Sequence, residues 1–368
     1  MDLSLLKTDF SNVPKSIENK IGRKLHLQEN HPVCIIKNRI YDYFKGLDEY
    51  AFKIYDDFDP VVHIVENFDK LRIPLDHPAR SKSDTYYVSE ELVLRTQTSS
   101  HQNELFAKGI TNYLVTGDVY RKDEINCSHY PVFHQMEGVA AISEDNNPIE
   151  ELKKILSGLV EHLFPGCEYR FNKDYFPFTE PSLEVEVKYK NDWMEILGCG
   201  ITHEEILSRN NIKVKCWAFG LGLDRLAMLF FKIPDIRYLW CTDDKFLSQF
   251  KAGVITEFSP YSNLGTIEKD ISFWISDTDI TGENNKFTWN KLNEFYEFLR
   301  EVSNDLLEQV ELFDTFYHSK KNRYSHTFRM KFSPAHAMED PSELTKQSNS
   351  FMYQLRDKIN EKFGVELR

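Results

Sequence analysis

The chain has 368 residues, of which 41% are hydrophobic and 28% charged, and its formal net charge is −13. This length favours two domains over one, and the acidic balance argues against broad, non-specific coating of nucleic acid. No segment approaches about 18 consecutive apolar residues, so a transmembrane helix is not expected. The six cysteines include no Cys-x-x-Cys pair, which favours free thiols in a reducing compartment. The first residues show neither the apolar core of a signal peptide nor an Arg-rich transit peptide.

The first part of the chain mixes apolar strands with a few helices. A helix is predicted after Asn30-His31-Pro32, because the apolar residues up to Phe44 fall near 3.6 spacing. Another is predicted after Asn147, where Pro148 suits the first helical position. Strands are predicted at 92–94, 183–190 and 194–201, and 215–231 runs from a strand through glycines into an apolar helix. Strands and helices do not alternate regularly, so a doubly wound sheet is not expected here.

The second part of the chain has a legible order of elements. A looser segment at 250–265, with one proline and two glycines, marks a boundary. Beyond it the order is strand, helix, strand, strand, helix, strand, with helices predicted over 288–307 and after Asp340. This is the split βαβ, or ferredoxin-like, arrangement. We therefore expect an α+β protein with a first domain over 1–246, a linker over 247–264 and a second domain over 265–368.

The segment from Gly117 to Gly138, GDVYRKDEINCSHYPVFHQMEG, predicts a β-hairpin with polar residues on its inward face. Side chains alternate along a strand, so Phe133, Gln135 and Glu137 share one face while His134 and Met136 take the other. An arginine fork at 121 suits a phosphate, and a Gln–Glu pair offers acceptors to an ammonium group. Taken alone, an exposed hairpin with an Arg–Glu surface pair remains the favoured interpretation.

The run FGLGLDRL at 219–226 strengthens the case for a ligand site. Gly220 and Gly222 allow close approach of the backbone to a ligand. Arg225, at the start of an apolar helix, is costly unless it is paired or binds an anion. Pairing with Asp224 on a solvated face is an equally good explanation of this arginine.

Six ordered motifs together resemble one family. The hairpin resembles motif 2 of the class II aminoacyl-tRNA synthetases, and FGLGLDRLAML resembles motif 3. FDKLRIPLDHPAR at 68–80 is similar to motif 1 of phenylalanyl-tRNA synthetases, and LRTQTSSHQ, YFPFTEPS and EILGCG narrow the resemblance to that enzyme. The second domain is similar to the anticodon-binding domain of the monomeric mitochondrial form. The resemblance implies an antiparallel class II sheet flanked by helices, in a mitochondrial or plastid enzyme that uses ATP, Mg²⁺, phenylalanine and tRNA-Phe.

The resemblance also implies roles for individual residues. Arg121 would clamp the α-phosphate of ATP and Arg225 the γ-phosphate. The remaining nucleotide contacts would come from Ser128, His129, Tyr130, Glu195 and, by stacking on adenine, Phe219. Phenylalanine would be held by Ser99, Gln102, Gln135, Glu137, Phe176 and Phe178. His101 is a further candidate, although a structural histidine is nearly as good an interpretation. Glu180 and Glu195 are candidate Mg²⁺ ligands, and each could equally be an exposed strand carboxylate.

A basic segment at 319–331 is the candidate tRNA surface. Its cations are Lys320, Lys321, Arg323, Arg329 and Lys331, with aromatic residues interleaved and no acid among them. Cations and stacking rings suit an anticodon loop, whereas a solvated hairpin face is the alternative without the family resemblance. The resemblance therefore implies the activity of a phenylalanine–tRNA ligase. A synthetase-like sensor and a pure tRNA-binding module are the competing functions.

Two further expectations concern chemistry that the sequence leaves open. The Cys127-Ser128-His129 run with His134 matches no common zinc spacing, so zinc is not favoured. The length leaves no room for an editing domain beside the two expected domains. A pocket built for an apolar ring excludes an added hydroxyl by only about 10²-fold, so some tyrosine should be accepted.

Overall fold

The computed structural model describes residues 3–143, 147–260, 265–276, 279–281, 288–320, 323–336, 338 and 340–368. Its helices are α1 Lys15–Glu18, α2 Pro32–Lys45, α3 Ile64–Asn67, α4 Gln102–Ala107, α5 Pro148–Leu163, α6 Glu204–Arg209, α7 Leu223–Phe231, α8 Arg237–Trp240, α9 Asp244–Leu247, α10 Leu292–Ser303 and α11 Pro341–Phe363. Its strands are β1 Lys53–Tyr55, β2 Val61–His63, β3 Leu92–Leu94, β4 Tyr113–Tyr120, β5 Val132–Ala141, β6 Tyr169–Asp174, β7 Thr179–Tyr189, β8 Asp192–Thr202, β9 Cys216–Gly222, β10 Ile267–Ile275, β11 Ile280–Thr281, β12 Thr288–Trp289, β13 Leu307–His318, β14 Arg323–Phe332 and β15 Glu366–Leu367. None of the helices within these ranges is long and apolar enough to cross a membrane.

A seven-stranded sheet organises the first part of the chain, with the order β1-β4-β5-β9-β8-β7-β6. Only the short β1 pairs in parallel, with β4, and every other neighbour in this sheet is antiparallel. The antiparallel sheet flanked by helices confirms the expected α+β class. Antiparallel sheets commonly bury one face and leave the other open, and the open face here carries the candidate site.

Helices α2, α5 and α7 cover the buried face of this sheet. Their apolar residues recur near the helical period and join strand residues such as Trp217 and Phe219 in one core. Each fully buried Leu, Ile or Phe side chain contributes about 1.5–3 kcal/mol to stability. Helix α2 begins after His31, whose Nδ1 accepts the Val33 N–H at 3.2 Å, and α5 begins after Asn147, whose side chain accepts the Ile149 N–H. Both predicted helix starts are therefore confirmed.

The second part folds as the predicted ferredoxin-like unit. Strands in the order β13-β14-β10-β15 form one sheet, and α10 and α11 pack on it. Chain order within this unit is β10, α10, β13, β14, α11, β15, with the short β11 and β12 before α10. Helix α10 ends at Ser303 rather than at 307, because Asn304 and Asp305 adopt left-handed φ values of 49° and 63°. That conformation stops a helix, and the helical period of the sequence does not reveal it.

The segment between the two units is partly packed rather than loose. Phe258, inside the predicted linker, is buried in the first core, and its N–H donates to Phe231 O at 2.7 Å. The two units also contact each other directly. Asp305 Oδ2 accepts hydrogen bonds from Lys20 Nζ at 3.1 Å and from the Tyr130 hydroxyl at 2.8 Å. The predicted domain bounds stay a prediction.

Candidate active site

A cavity of about 550 Å³ opens on the uncovered face of the seven-stranded sheet. Strands β5, β8 and β9 form its floor, and the segments 73–85, 96–102 and 176–179 form its walls. Its floor exposes the small residues Gly198, Ala218 and Gly220. Small residues on a sheet face leave room for a bound molecule.

Two stacked phenylalanines form the apolar end of this cavity. The rings of Phe176 and Phe178 lie 5.9 Å apart with an interplanar angle of 16°. Gly198 lies beneath Phe176, because a Cβ at this position would come within 2.6 Å of the Phe176 ring. The end of the cavity therefore has the shape and polarity for an aromatic side chain.

The polar end of the cavity is organised around Glu137. This residue is 4% exposed, Ser99 Oγ donates to its Oε2, and Oε1 has no partner among the described residues. Burial raises the pKa of Glu137 to about 7, and the nearby hydroxyls of Ser99 and Tyr113 offset part of that rise. Gln102 Oε1 also lacks a donor within the described part of the chain. Two buried acceptors without donors suit an ammonium group.

Gln135 lies on the same face as Glu137 but makes a different contact. Its Oε1 accepts the Thr98 N–H at 3.1 Å, so its amide NH₂ is left to face the cavity. We expected Gln135 to offer an acceptor to an amine. The hydrogen bond from Thr98 instead makes it a donor toward the cavity, which suits a carboxylate or phosphate oxygen.

A second cavity of about 280 Å³ adjoins the first. The two cavities share Arg121, Gln135, Glu195, Gly198 and Gly220 as lining residues. Predicted nucleotide contacts that line the second cavity are Arg121, Ser128, His129, Tyr130, Glu195 and Arg225. Six of the residues that the sequence predicted as nucleotide contacts therefore line one cavity, and this cavity is connected to the first.

Two arginines reach this second cavity from different elements. Arg121 Nε donates to Thr96 O at 2.7 Å, which leaves the outer nitrogens of its guanidinium facing the junction. Arg225, at the start of α7, has Nη2 3.0 Å from His129 Nε2. The His129 Nδ1 lies 2.9 Å from Asn126 Oδ1, so the ring donates at Nδ1 and accepts from Arg225 at Nε2. Two guanidinia facing one cavity form an anion site.

Asp224 does not pair with its neighbour Arg225, which was the alternative explanation of that arginine. This residue is 1% exposed, and its Oδ2 accepts the main-chain N–H of His134 at 2.6 Å. Arg225 is exposed and lies on the cavity side of the helix. The solvated Asp224–Arg225 pair is therefore excluded.

Phe219 was expected to stack on adenine, and this expectation is wrong. Its ring is 2% exposed on the buried face of the sheet and stacks on Phe44 at 5.1 Å with an angle of 7°. Gly220 and Gly222 face the cavities, so the strand alternation puts Phe219 on the other side. Phe133 lines the second cavity instead, with the Arg121 guanidinium 5.6 Å from its ring centre. Its position on the Gln135 face could have identified it from the sequence.

His101 and Glu180 are also placed away from the cavities. The His101 ring stacks on Phe58 at 4.4 Å, and its Nε2 lies 2.9 Å from Arg95 Nη1. Burial and the charge of Arg95 lower the pKa of His101 to about 3, so it is a neutral structural residue. Glu180 is exposed and lines neither cavity, which removes it as a ligand near a nucleotide. Sequence reasoning also missed Gln97, which lines the first cavity from the LRTQTSSHQ segment.

Most of the candidate tRNA cations are paired with acids. Arg329 makes two hydrogen bonds of 3.0 Å to Asp270, Arg323 Nη1 donates to Glu366 at 2.7 Å, and Lys331 donates to Glu308 at 2.5 Å. Lys320 is exposed beside the β13–β14 turn, and Lys321 lies outside the described residues. The strands next to β14 supply the acids, so the basic run is less positive than its own sequence indicates.

Comparison with known proteins agrees with this architecture. Residues 16–250 match the model of the tRNA synthetases class II core domain (F), and residues 262–368 match the ferredoxin-fold anticodon binding domain. The chloroplastic/mitochondrial phenylalanine–tRNA ligase of Arabidopsis thaliana is 46% identical, covering 97% of this chain and 83% of that protein. The mitochondrial phenylalanine–tRNA ligase of Mus musculus is 38% identical, covering 88% and 79%. The phenylalanine–tRNA ligase alpha subunit of Leuconostoc citreum is 38% identical, covering 62% of this chain and 70% of that protein.

The antiparallel sheet, the paired cavities and the ferredoxin-like unit are those of a class II aminoacyl-tRNA synthetase. Such an enzyme is a ligase that uses ATP to activate an amino acid. Within that class, the chain belongs to the family of the phenylalanine–tRNA ligases.

Proposed function

We propose that this chain is an organellar phenylalanine–tRNA ligase. It joins phenylalanine and ATP into phenylalanyl-adenylate and pyrophosphate, and then transfers the phenylalanyl group to the terminal ribose of tRNA-Phe. The observation that carries this proposal is the junction of the two cavities at Arg121. An aromatic pocket with an amine site opens there onto a pocket with two guanidinia, as an aminoacyl-phosphate reaction requires.

Phenylalanine lies in the first cavity in this proposal. Its ring packs against Phe176 and Phe178, and its ammonium group donates to Glu137 Oε1 and Gln102 Oε1, two acceptors without donors among the described residues. Ser99 holds Glu137 through the other carboxylate oxygen. This pose directs the substrate carboxylate toward the amide NH₂ of Gln135 and the guanidinium of Arg121.

ATP lies in the second cavity. Arg121 at the junction holds the α-phosphate and Arg225 the γ-phosphate, while Phe133 stacks on adenine. Ser128, His129 and Tyr130 form the wall beside the base and the ribose. A Cβ at Gly222 would meet no atom within 4 Å, and at Gly220 only Gln135 at 3.7 Å. The open space above these two glycines supports the presence of a ligand there.

The residues of this site position groups and neutralise charge rather than move protons. The nucleophile is the carboxylate of phenylalanine, which is already ionised at neutral pH, so no general base is required. Arg121 cannot be deprotonated in a protein and therefore keeps its charge at the reacting phosphate. Phosphoryl chemistry of this kind depends mainly on alignment and on electrostatic stabilisation.

Mg²⁺ fits the same site through one protein carboxylate. Glu195 lines both cavities, and burial together with the charge of Glu184 raises its pKa. A carboxylate whose ionisation is disfavoured gains from a nearby divalent cation. Mg²⁺ commonly takes one or two carboxylates together with substrate phosphates, and when bound it would neutralise charge on the polyphosphate.

The outer face of the ferredoxin-like sheet is the proposed anticodon surface. Trp274 and Phe316 lie there with ring centres 6.4 Å apart, and the Arg368 guanidinium is 4.6 Å from the Phe316 centre. Phe316 is 39% exposed. Lys320, exposed beside the nearby turn, adds a cation for the RNA backbone. Arg323 and Arg329 would add charge only by exchanging Glu366 and Asp270 for phosphates, and Lys321 lies outside the described residues. The exposed Phe316 ring, backed by the buried Trp274, and the neighbouring cations suit unpaired bases.

The chain is proposed to act as a monomer in a mitochondrion or plastid. Both the synthetase core and the anticodon-binding unit lie on one chain. Relatives that match most of this chain are named mitochondrial or chloroplastic/mitochondrial, whereas the bacterial alpha subunit matches 62% of it.

Phenylalanine-dependent ATP–pyrophosphate exchange tests the proposal. The wild type should exchange with phenylalanine, and Arg121→Ala should lose about 10²-fold or more because it removes charge stabilisation at the reacting phosphate. Arg356→Ala, an exposed arginine on α11, is the matched control and should retain wild-type exchange.

Three outcomes distinguish the candidate functions. Exchange with phenylalanine that collapses in Arg121→Ala supports the ligase. No exchange with any amino acid, from a folded protein that binds tRNA, leaves a binding module. Binding of ATP or phenylalanine without exchange leaves a sensor.

A further inference from the structure

His134 is a buried residue next to the candidate ATP site, and the proposed chemistry gives it no role. It lies on β5 between Phe133 and Gln135, but its side chain takes the buried face of the sheet and is 1% exposed. Its ring stacks on Trp240 at 5.1 Å with an angle of 11° and lies 5.3 Å from the ring of His26. A fully buried histidine packed against these two rings requires a physical explanation.

His134 makes two contacts with one carboxylate oxygen. Its main-chain N–H donates to Asp224 Oδ2 at 2.6 Å, and its Nδ1 lies 3.1 Å from the same atom. The β5–β9 pairing ends at Gln135 and Gly222. One residue beyond this last pair, the Asp224 side chain accepts the His134 N–H in place of a strand carbonyl. It thereby attaches the first turn of α7 to the beginning of β5.

The contact with Asp224 fixes the tautomer of His134 and leaves its other ring nitrogen without a partner among the described residues. A carboxylate needs a donor, so the ring carries its proton at Nδ1. Nε2 is then a buried acceptor, and it has no partner within the described part of the chain. An unpaired buried polar atom costs about 1–3 kcal/mol. A feature retained at that cost beside a functional site is expected to serve the site.

Arg225 directly follows Asp224 and reaches the second cavity, where its Nη2 lies 3.0 Å from His129 Nε2. The place of this guanidinium relative to Arg121 depends on how α7 sits against β5. The charge-assisted contact of His134 Nδ1 with Asp224 adds a side-chain link between those two elements to the main-chain hydrogen bond from His134 N–H.

We infer that His134 is a positioning residue for ATP, which acts by holding Asp224 and thereby fixing the Arg225 guanidinium at the nucleotide phosphates. The inference rests on the proposed function and adds a determinant of ATP affinity outside both cavities. His134 does not touch the substrates. Its loss should therefore weaken ATP binding and leave the phenylalanine pocket intact.

The test measures the KM for ATP and the KM for phenylalanine separately in pyrophosphate exchange. His134→Leu should raise the KM for ATP by about tenfold to a hundredfold, the scale expected of a misplacement of about 1 Å. The KM for phenylalanine should stay within about twofold of wild type on the same reasoning. His134→Asn places an amide NH₂ near the position of Nδ1, and should recover most of the loss. Where His134→Leu does not fold, Asp224→Ala carries the same comparison.

Trp240→Phe is the control for packing, because it alters the surface under the ring and leaves the Asp224 contact in place. It should keep the wild-type KM for ATP. An unchanged KM for ATP in folded His134→Leu or Asp224→Ala overturns the inference, as does an equal rise in Trp240→Phe or in the KM for phenylalanine. A wild type without exchange would instead refute the proposed function.

Discussion

Replacing Glu137 by glutamine should raise the stability of the protein and weaken its binding of phenylalanine, because a buried carboxylate costs stability but holds the ammonium group. Burial raises the pKa of Glu137 to about 7 from an ordinary value of 4.5. The folded protein therefore holds this proton at pH values where the unfolded chain has lost it, and stability falls as the pH rises from 4.5 to 7. Above pH 7 the full cost persists, because the carboxylate is then ionised in both states.

The magnitude follows from the two pKa values. At 1.36 kcal/mol per pKa unit, the cost in the free energy of unfolding is about 2 kcal/mol at pH 6 and about 3 kcal/mol at pH 8. Glutamine cannot ionise, so Glu137→Gln should be more stable than wild type by up to these amounts. Its amide keeps an acceptor for the Ser99 hydroxyl, while the new NH₂ lacks a partner and subtracts part of the gain.

Urea denaturation at pH 6 and pH 8 measures this difference. Glu361→Gln, the same chemical change at an exposed position on α11, is the matched control and should show no gain at either pH. A difference between Glu137→Gln and wild type that does not grow with pH would refute the reasoning, because only an ionisation produces that dependence.

The same variant should lose affinity for phenylalanine. An ammonium group needs the ionised form of Glu137, so kcat/KM for phenylalanine in the wild type should fall about tenfold per pH unit below pH 7. Glu137→Gln should raise the KM for phenylalanine and remove this pH dependence. A pH profile that is flat between 5.5 and 8 in the wild type would show that Glu137 does not hold the ammonium group.

Four further outcomes test other parts of the molecule. Phe133→Ala should raise the KM for ATP by about tenfold to a hundredfold, since stacking on a base contributes about 1–3 kcal/mol; an unchanged KM would exclude adenine stacking. Gly138→Ala should cost about 1–3 kcal/mol in urea denaturation because its Cβ would collide with the Phe219 ring, whereas Gly265→Ala, in open space, should cost little. Phe316→Ala should lower tRNA charging and leave pyrophosphate exchange intact, and equal loss of both activities would argue against an RNA contact. The kcat/KM for charging tRNA with tyrosine should be only about 10²-fold below that for phenylalanine. A ratio above about 10⁵ would contradict rejection of tyrosine by the apolar ring pocket alone.

The hairpin of motif 2 illustrates how much of the site was readable in advance. Alternation along one strand put Gln135 and Glu137 on one face and His134 on the other, and both groups lie as that alternation requires. The same rule contained the correction for Phe219. Residues 220 and 222 lie on one face of the strand and residue 219 on the other. If Gly220 and Gly222 face the ligand, the Phe219 ring cannot.

Contacts between distant segments could not be read in the same way. Asp224 reaches His134 because β5 and β9 pair in one register, and Tyr130 of the nucleotide loop donates to Asp305 because the two units pack together. Arg329 is neutralised by Asp270 on the neighbouring strand. Local sequence contains neither the register nor the packing of units.

The sequence by itself determined the elements, the α+β class, the order of the motifs and the residue types that a phenylalanine–tRNA ligase needs. These depend on side-chain periodicity, on capping residues and on short motifs, all of which are local properties of the chain. The tertiary structure decided that Phe133 rather than Phe219 lines the nucleotide cavity, that His101 pairs with Arg95, and that Gln135 faces the junction as a donor. Each of these depends on which strand lies beside which and on which groups fill the hydrogen bonds of their neighbours, and only the folded chain brings those groups together.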